Sequence, residues 1–177
     1  SWSRTLGIAY PMLNALTIDL EDWYHPELVR HQLPLGRWEA QIEQSTRSLL
    51  DLLQGRGSKA TFFVVGEIAQ RYPWLIEAIA VQGHELACHG MSHRSLWQMT
   101  PGELRSDLQE FAAIMHTVLP SVKITGFRAP TFSLDNRTRW ALGILAEFGY
   151  YYDSSIFPLK TPVYGVNNCP LTPYRPS

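Results

Sequence analysis

The chain has 177 residues, of which 45% are hydrophobic and 18% are charged, and this composition predicts a globular domain and excludes a disordered chain. Fifteen basic residues nearly balance sixteen acidic ones. The chain therefore lacks the net positive charge that would attract it to nucleic acid or to an anionic membrane surface. No apolar run approaches the ~18 residues of a membrane span, and no signal peptide is visible. We therefore expect one domain over residues 1–177, with cytoplasmic and cell-envelope locations both open.

Segments with strand character alternate with segments of helical character along the chain. The predicted strands are short apolar or β-branched runs, over residues 15–19, 59–65, 85–88, 123–127 and 150–153. The predicted helices follow apolar residues at helical spacing, over residues 38–54, 73–82, 101–119 and 138–148. This alternation predicts an α/β fold, a parallel sheet made of about five βα units.

Two local signals predict helix ends. Thr100 and Glu103 have the spacing of a capping box, in which each side chain bonds the other residue's backbone N–H. Gly149 follows the last predicted helix and suits its C-terminal cap. Residues 154–177 contain five of the twelve prolines, and we expect no helix there.

The length of the chain bears on the topology of the sheet. A closed eight-fold barrel needs about 250 residues, more than the 177 present. We therefore expect either an open α/β sheet or a barrel whose last strands lie beyond Ser177.

Polar residues follow four of the five predicted strands. Ligands of parallel α/β proteins collect at the C-terminal ends of the strands. The residues at these ends are acids, histidines, an arginine and a proline: Asp19, Glu21 and Asp22, then His89 and His93, then Arg128 and Pro130, and finally Asp153. We expect the functional site to be among them.

His89 and His93 are four residues apart. On a helical turn this spacing puts both imidazoles on one face, suited to one metal ion. Two histidines with a carboxylate and an open position make a catalytic zinc arrangement. The alternative is a solvent-exposed turn whose histidines have no ligand.

Asp19 directly follows an apolar strand and is expected to be partly buried. A buried carboxylate needs a partner or a function, and Arg128 leaves another strand at the same edge. A purely structural ion pair is the alternative to a catalytic role.

Four segments, residues 17–22, 83–93, 126–130 and 152–155, resemble in order the motifs of the polysaccharide deacetylases, the NodB-homology group or carbohydrate esterase family four. The resemblance implies a distorted (β/α) barrel, incomplete here, so that the domain would be truncated. Residues 22–25 are similar to a subgroup linked to bacterial exopolysaccharide synthesis. A further strand from residues beyond Ser177, or from another chain, would complete the barrel; the oligomeric state is not predicted.

The resemblance also implies residue roles. Asp19 would be the catalytic base, Arg128 would orient it, and His89 and His93 would bind a divalent metal. Zinc is the first choice, with cobalt, manganese or nickel as alternatives.

The resemblance implies a metal carboxylate next to Asp19, but Leu20 stands at that position, so the ligand would be Glu21 or Asp22. Strand alternation places Glu21 on the same face as Asp19, whereas a turn after Leu20 favours Asp22. The sequence interpretation leans slightly to Asp22 and keeps both.

The implied reaction is hydrolysis of N-acetyl groups on an amino-sugar polymer. Candidate substrate-binding residues are aromatic or line the implied groove: Trp23, Tyr24, Pro130, Phe132 and Asp153. Packing at the barrel mouth is the alternative for the aromatic ones. His25 is expected at the surface.

Two other functions stay open. One is a related amidohydrolase that acts on a small non-sugar amide. The other is a non-catalytic carbohydrate-binding or scaffold protein, because the family's acid is a histidine on a late strand and no histidine follows His116.

Overall fold

The computed structural model describes residues 14–33 and 38–174. Five strands form one sheet in chain order and every neighbouring pair is parallel. They are β1 (Thr17–Leu20), β2 (Thr61–Val64), β3 (Glu85–Cys88), β4 (Gly126–Phe127) and β5 (Tyr152–Asp153). The predicted α/β fold of parallel βα units is therefore confirmed.

Within the described residues, six α-helices connect or flank these strands. They are α1 (Glu27–Arg30), α2 (Ile42–Gly55), α3 (Gly66–Arg71), α4 (Pro73–Val81), α5 (Pro101–Val118) and α6 (Ala141–Glu147). Sequence patterning predicted four of them and missed α1 and α3, because helices of four and six residues are too short to show a period. The described part of the proline-rich tail, residues 154–174, contains no helix; residues 175–177 lie outside the described part.

Alternation along the strands divides the side chains between two faces of the sheet. Phe62, Val64 and Leu86 belong to the apolar core that the helices cover. Phe63, the residue between two of them, is fully buried but lies outside that core cluster. It pairs with Asp19 across the β1–β2 ladder, so Asp19 and Phe63 share the opposite face. This face leads to the site.

The capping box of α5 forms as predicted. The backbone N–H of Thr100 donates to Glu103 Oε2 at 2.7 Å, and Glu103 N–H donates to Thr100 Oγ1 at 3.3 Å. Gly149 takes a φ of 78° after α6, as expected of its predicted capping role. None of the helices in residues 14–33 and 38–174 combines the length and apolar character needed to cross a lipid bilayer.

Thr100→Ala is expected to lower the free energy of unfolding by about 1 kcal/mol, because the first turn of α5 loses a side-chain acceptor. Urea unfolding followed by circular dichroism measures this change. Thr117→Ala is the matched control, since the Thr117 hydroxyl bonds Ala113 O inside the same helix and caps nothing. Equal losses in both variants would show that the cap contributes nothing specific.

Candidate metal centre

The sequence-predicted site residues begin where parallel strands end. Glu21 directly follows β1, His89 follows β3 and Arg128 follows β4. The three strands run in the same direction, so their carboxyl ends meet at one edge of the sheet. This topology brings together residues that are far apart in the sequence, such as Asp19 and Arg128, which are 109 positions apart and in contact.

Glu21, His89 and His93 form a compact group of possible ligands. One ligand atom from each residue lies within 4.8 Å of the others. His93 Nε2 is 2.7 Å from Glu21 Oε2, and the two imidazole rings are 5.1 Å apart. Two neutral nitrogens and one carboxylate oxygen are a donor set that zinc accepts. In the part of the chain that the structure describes, no other group of His, Cys, Asp and Glu meets the same distance.

The segment from His89 to His93 is a loop, and the expectation of a helical turn was wrong. Gly90 and His93 take left-handed φ values of 77° and 55°. A left-handed residue reverses the local path of the chain, which a helix cannot do. The loop nevertheless brings both imidazoles together and buries them, at 1% and 5% exposure.

A backbone contact fixes which nitrogen of His89 is available to a ligand. His89 Nδ1–H donates to the carbonyl oxygen of Arg128 at 2.7 Å, which leaves the Nε2 lone pair free on the side of Glu21. Ligating histidines usually make such a bond with their other nitrogen. Burial also lowers the pKa of His89, which favours the neutral, ligating form of the imidazole.

An orphaned oxygen supports the fit of a cation at this group. Glu21 Oε2 is buried and has no hydrogen-bond partner, although His93 Nε2 is close. The contact therefore lacks the direction of a hydrogen bond. A buried carboxylate oxygen without a donor is costly, and a cation between these atoms would satisfy it.

Asp22 is used elsewhere. Its buried carboxylate accepts the backbone N–H groups of Trp23, Gln41 and Ile42 at 2.9–3.3 Å, and so it serves the start of α2. The geometry therefore favours Glu21 over Asp22, and the assignment of the metal carboxylate stays a prediction. Strand β1 runs through Leu20, so alternation rather than an early turn decides which acid faces the histidines.

The expected ion pair between Asp19 and Arg128 is present. Arg128 Nη1 donates to Asp19 Oδ1 at 2.7 Å, and the other carboxylate oxygen lies 3.9 Å from His89 Nε2. Asp19 therefore lies next to the group formed by Glu21, His89 and His93. Its Oδ2 atom is left for other contacts.

Arg128 is itself held by several elements. It donates to Thr17 Oγ1, Ser154 Oγ and the Ser154 carbonyl at 2.8–3.1 Å. Its guanidinium lies 4.0 Å from the centroid of the Phe63 ring. These bonds to β1 and to the segment after β5 fix the position of the guanidinium group, which in turn holds Asp19.

Two aromatic candidates lie in the loop that follows β1. Trp23 is 40% exposed, and Tyr24 has its ring 4.7 Å from that of His25. Trp38 contacts both Trp23 and Tyr24. The indole N–H of Trp23 donates to the carbonyl oxygen of Glu39 at 3.1 Å, and its exposed ring face is left for a ligand, whereas Tyr24 is used mainly in packing.

The other three candidate substrate residues are engaged within the protein. Pro130 is buried, and Phe132 contacts the rings of Phe157 and Tyr164 in the tail. The Asp153 carboxylate accepts from the backbone N–H and the hydroxyl of Ser155. Burial raises the pKa of Asp153 to about 6. Their substrate contacts stay predictions.

His25 was missed, because the expectation of a surface position was wrong. It is 4% exposed, its Nδ1 accepts the backbone N–H of Asp22 at 2.8 Å, and its ring lies 6.3 Å from that of His93. Glu67 faces its other nitrogen at 3.6 Å, and the interaction with His25 lowers the pKa of Glu67. No sequence pattern marks this contact, since it depends on how the loop after β1 folds back.

Comparisons with known proteins find relatives in sequence and in fold. Residues 34–152 match the family model described as polysaccharide deacetylase. A peptidoglycan-N-acetylglucosamine deacetylase of Bacillus cereus is 31% identical over 103 residues, which cover 54% of this chain and 35% of that protein. A chitooligosaccharide deacetylase of Bradyrhizobium sp. is 32% identical over 85 residues, which cover 48% of this chain and 39% of that protein. The matches thus span well under half of either relative.

A solved structure from Mycobacterium smegmatis, described as a polysaccharide deacetylase, has a similar fold. The TM-score is 0.66 at 32% identity, and the match covers 80% of this chain and 50% of that one.

Proposed function

The chain belongs to the polysaccharide deacetylase family, and from this membership we propose that the protein hydrolyses N-acetyl groups on an amino-sugar polymer. The observation that carries the proposal is the group of Glu21, His89 and His93, with the Asp19–Arg128 pair directly beside it. The group has a metal-binding donor set, and the pair contains a carboxylate able to accept a proton.

Glu21, His89 and His93 would hold the metal. Zinc suits two imidazoles and one carboxylate; cobalt, manganese or nickel are alternatives. When bound, such an ion supplies Lewis acidity, which activates water and polarises an amide carbonyl.

Asp19 would act as the general base. Its oxygens have different surroundings, because Oδ1 accepts from Arg128 at 2.7 Å while Oδ2 faces the histidines, 3.9 Å from His89 Nε2. A water molecule on that side can pass its proton to Oδ2 as its oxygen bonds the amide carbon, and the protonated carboxyl group can then give that proton to the amine nitrogen as the C–N bond breaks. General base catalysis of this kind contributes about 10²–10⁴ to a rate.

Arg128 would orient Asp19. Its bonds to Thr17 and to Ser154 fix the guanidinium, and the guanidinium in turn fixes the rotamer of Asp19. A base held in one position saves the entropy of orienting it during the reaction.

The substrate class rests on the relatives and on one exposed side chain. The two curated relatives act, by their names, on N-acetylglucosamine in peptidoglycan and on chitooligosaccharides. Trp23, two residues after Glu21 in the sequence, offers an exposed apolar ring, and indole rings pack well against the apolar faces of ligands. The similarity of residues 22–25 to the exopolysaccharide subgroup stays a prediction.

The test is acetate release from N-acetylglucosamine oligomers by the full-length protein. We expect turnover that disappears when the metal is removed with a chelator and returns when zinc or cobalt is added. An acetylated lysine peptide is the matched non-sugar substrate, and we expect little release from it.

Each part of the proposal has an outcome that would contradict it. Full turnover in the presence of chelator would exclude the metal. Preference for the peptide would favour a small-amide hydrolase. Binding of the oligomers without any acetate release, with metal bound, would favour a carbohydrate-binding protein.

A further inference from the structure

The loop that carries both histidines has a backbone that needs support. His93 takes a left-handed φ of 55°, which costs about 1–3 kcal/mol for a residue other than glycine. Such a conformation persists only where its surroundings hold it. The relative position of the two imidazoles depends on this conformation, because residues 90–92 of the loop connect His89 to His93.

One side of the loop is anchored by α3. The backbone N–H groups of Gly66 and Glu67 donate to the carbonyl oxygens of Gly90 and Met91, each at 2.9 Å. Met91 also packs its side chain against Gly66, where a Cβ atom would lie 2.3 Å from Met91 Sδ. These contacts satisfy acceptors of the loop and leave the Met91 N–H to be satisfied from elsewhere.

The other side is anchored by Asp107 of α5. Asp107 Oδ2 accepts the Met91 N–H at 2.8 Å, and a Cβ atom built on Gly90 would lie 3.3 Å from the same oxygen. Met91 is midway between the two histidines. A carboxylate from a long helix thus bonds the central amide of the loop.

The position of Asp107 on α5 makes this contact unusual. The buried residues of α5 form one stripe, Leu104, Asp107, Leu108, Phe111 and Met115, in which Asp107 is the one charged member. Burying a carboxylate costs free energy unless it is bonded, and an apolar side chain would fill a simple core position at no such cost.

We propose that Asp107 is a positioning residue for the metal ligands, which holds the loop of residues 89–93 in the conformation that turns both imidazoles toward Glu21. The inference rests on the proposed function, because that function assigns the metal to these three residues. The side-chain hydrogen bond of Asp107 goes to the backbone N–H of Met91, so Asp107 would act on the ligands through that backbone.

The test compares zinc affinity across three variants of the full-length protein. Asp107→Ala removes the acceptor, Asp107→Asn keeps an acceptor oxygen, and Met115→Ala removes another buried side chain of the same helix, eight residues further on, or about 12 Å at 1.5 Å per residue. Competition with a chromophoric chelator gives the zinc Kd, and thermal unfolding gives the Tm of each metal-free variant.

We expect Asp107→Ala to raise the zinc Kd by about 10–100-fold, as for other residues that orient ligands. Asp107→Asn should stay near the wild type. Met115→Ala should lower the Tm and leave the Kd unchanged, since a stability loss alone does not move the loop. An unchanged Kd in Asp107→Ala, or an equal rise in Met115→Ala, would overturn the proposal.

A second measurement uses the wild-type protein and does not depend on how the variants fold. Amide hydrogen exchange without metal should show a protected Met91 N–H, because Asp107 holds it before any ion binds. Exchange at the rate of an open loop would overturn the proposal. If wild-type protein bound no zinc, the proposed function would fail, and the exchange result would still decide whether Asp107 holds the loop.

Discussion

Asp19→Asn is expected to lower kcat for N-acetyl hydrolysis by about 10²–10⁴-fold, because an amide cannot accept the proton of the attacking water. The asparagine oxygen can still accept from Arg128, which now bonds Asp19 Oδ1, so the fold and the site geometry should survive. The zinc Kd should stay within a few-fold of the wild type. Acetate release and zinc competition on the same preparation measure both quantities.

Asp51→Asn is the control for this prediction. Asp51 is exposed on α2, and its substitution removes the same charge away from the site, so it should leave kcat unchanged. Full turnover by Asp19→Asn with zinc bound would show that another group is the base. Loss of zinc from that variant would show that Asp19 is a ligand instead.

The second prediction with a large expected effect distinguishes the roles of the neighbouring acids Glu21 and Asp22. Glu21→Gln is expected to weaken zinc binding by more than the ~10–100-fold typical of residues outside the ligand set, with little loss of stability. Asp22→Ala is expected to keep zinc and to lower the free energy of unfolding by about 1–3 kcal/mol, because it leaves backbone donors at the start of α2, the buried N–H of Ile42 among them, without an acceptor. Zinc titration of both variants gives the zinc affinity, and urea unfolding gives the free energy of unfolding.

The opposite pattern is the contradicting one. If Asp22→Ala lost zinc while Glu21→Gln kept it, Asp22 would be the metal carboxylate, as the sequence analysis slightly preferred. Each variant is the control for the other, since they remove neighbouring carboxylates that are both sheltered from solvent, Glu21 partly and Asp22 almost fully.

Much of the fold follows from short-range patterns in the sequence. Strand β3 spans Glu85–Cys88, as predicted, because the turn at Gly83 and the loop at Gly90 bound a short apolar run. The capping box at Thr100 predicted the start of α5 for a similar reason: its atoms belong to one turn. Strand β4 is only Gly126–Phe127, shorter than predicted, since pairing rather than apolar character determines how far a strand extends.

The site was predictable to the extent that it depends on topology. Parallel strands end at one edge, so the acids after β1, the histidines after β3 and Arg128 after β4 were expected to meet. The pairing of Asp19 with Arg128 followed from the same argument.

The rest of the site depends on loop paths that no periodicity encodes. The left-handed φ of His93 and the burial of His25 arise from how loops fold against other elements. Asp107 is visible in the sequence as an acid within an apolar helical stripe, but its partner, the Met91 amide, is sixteen residues away and belongs to a loop. The choice between Glu21 and Asp22 needed the observed length of β1.

The most direct measurement is X-ray diffraction from crystals of the zinc-loaded, full-length protein, collected on both sides of the zinc absorption edge. An anomalous peak bonded to the Glu21 carboxylate and to the imidazoles of His89 and His93, at the ~2.0–2.2 Å typical of zinc ligands, with Asp19 left outside the ligand set, is the expected result. A peak on other residues, or no peak from protein that has taken up zinc in stoichiometric amount, would contradict the assignment of this site.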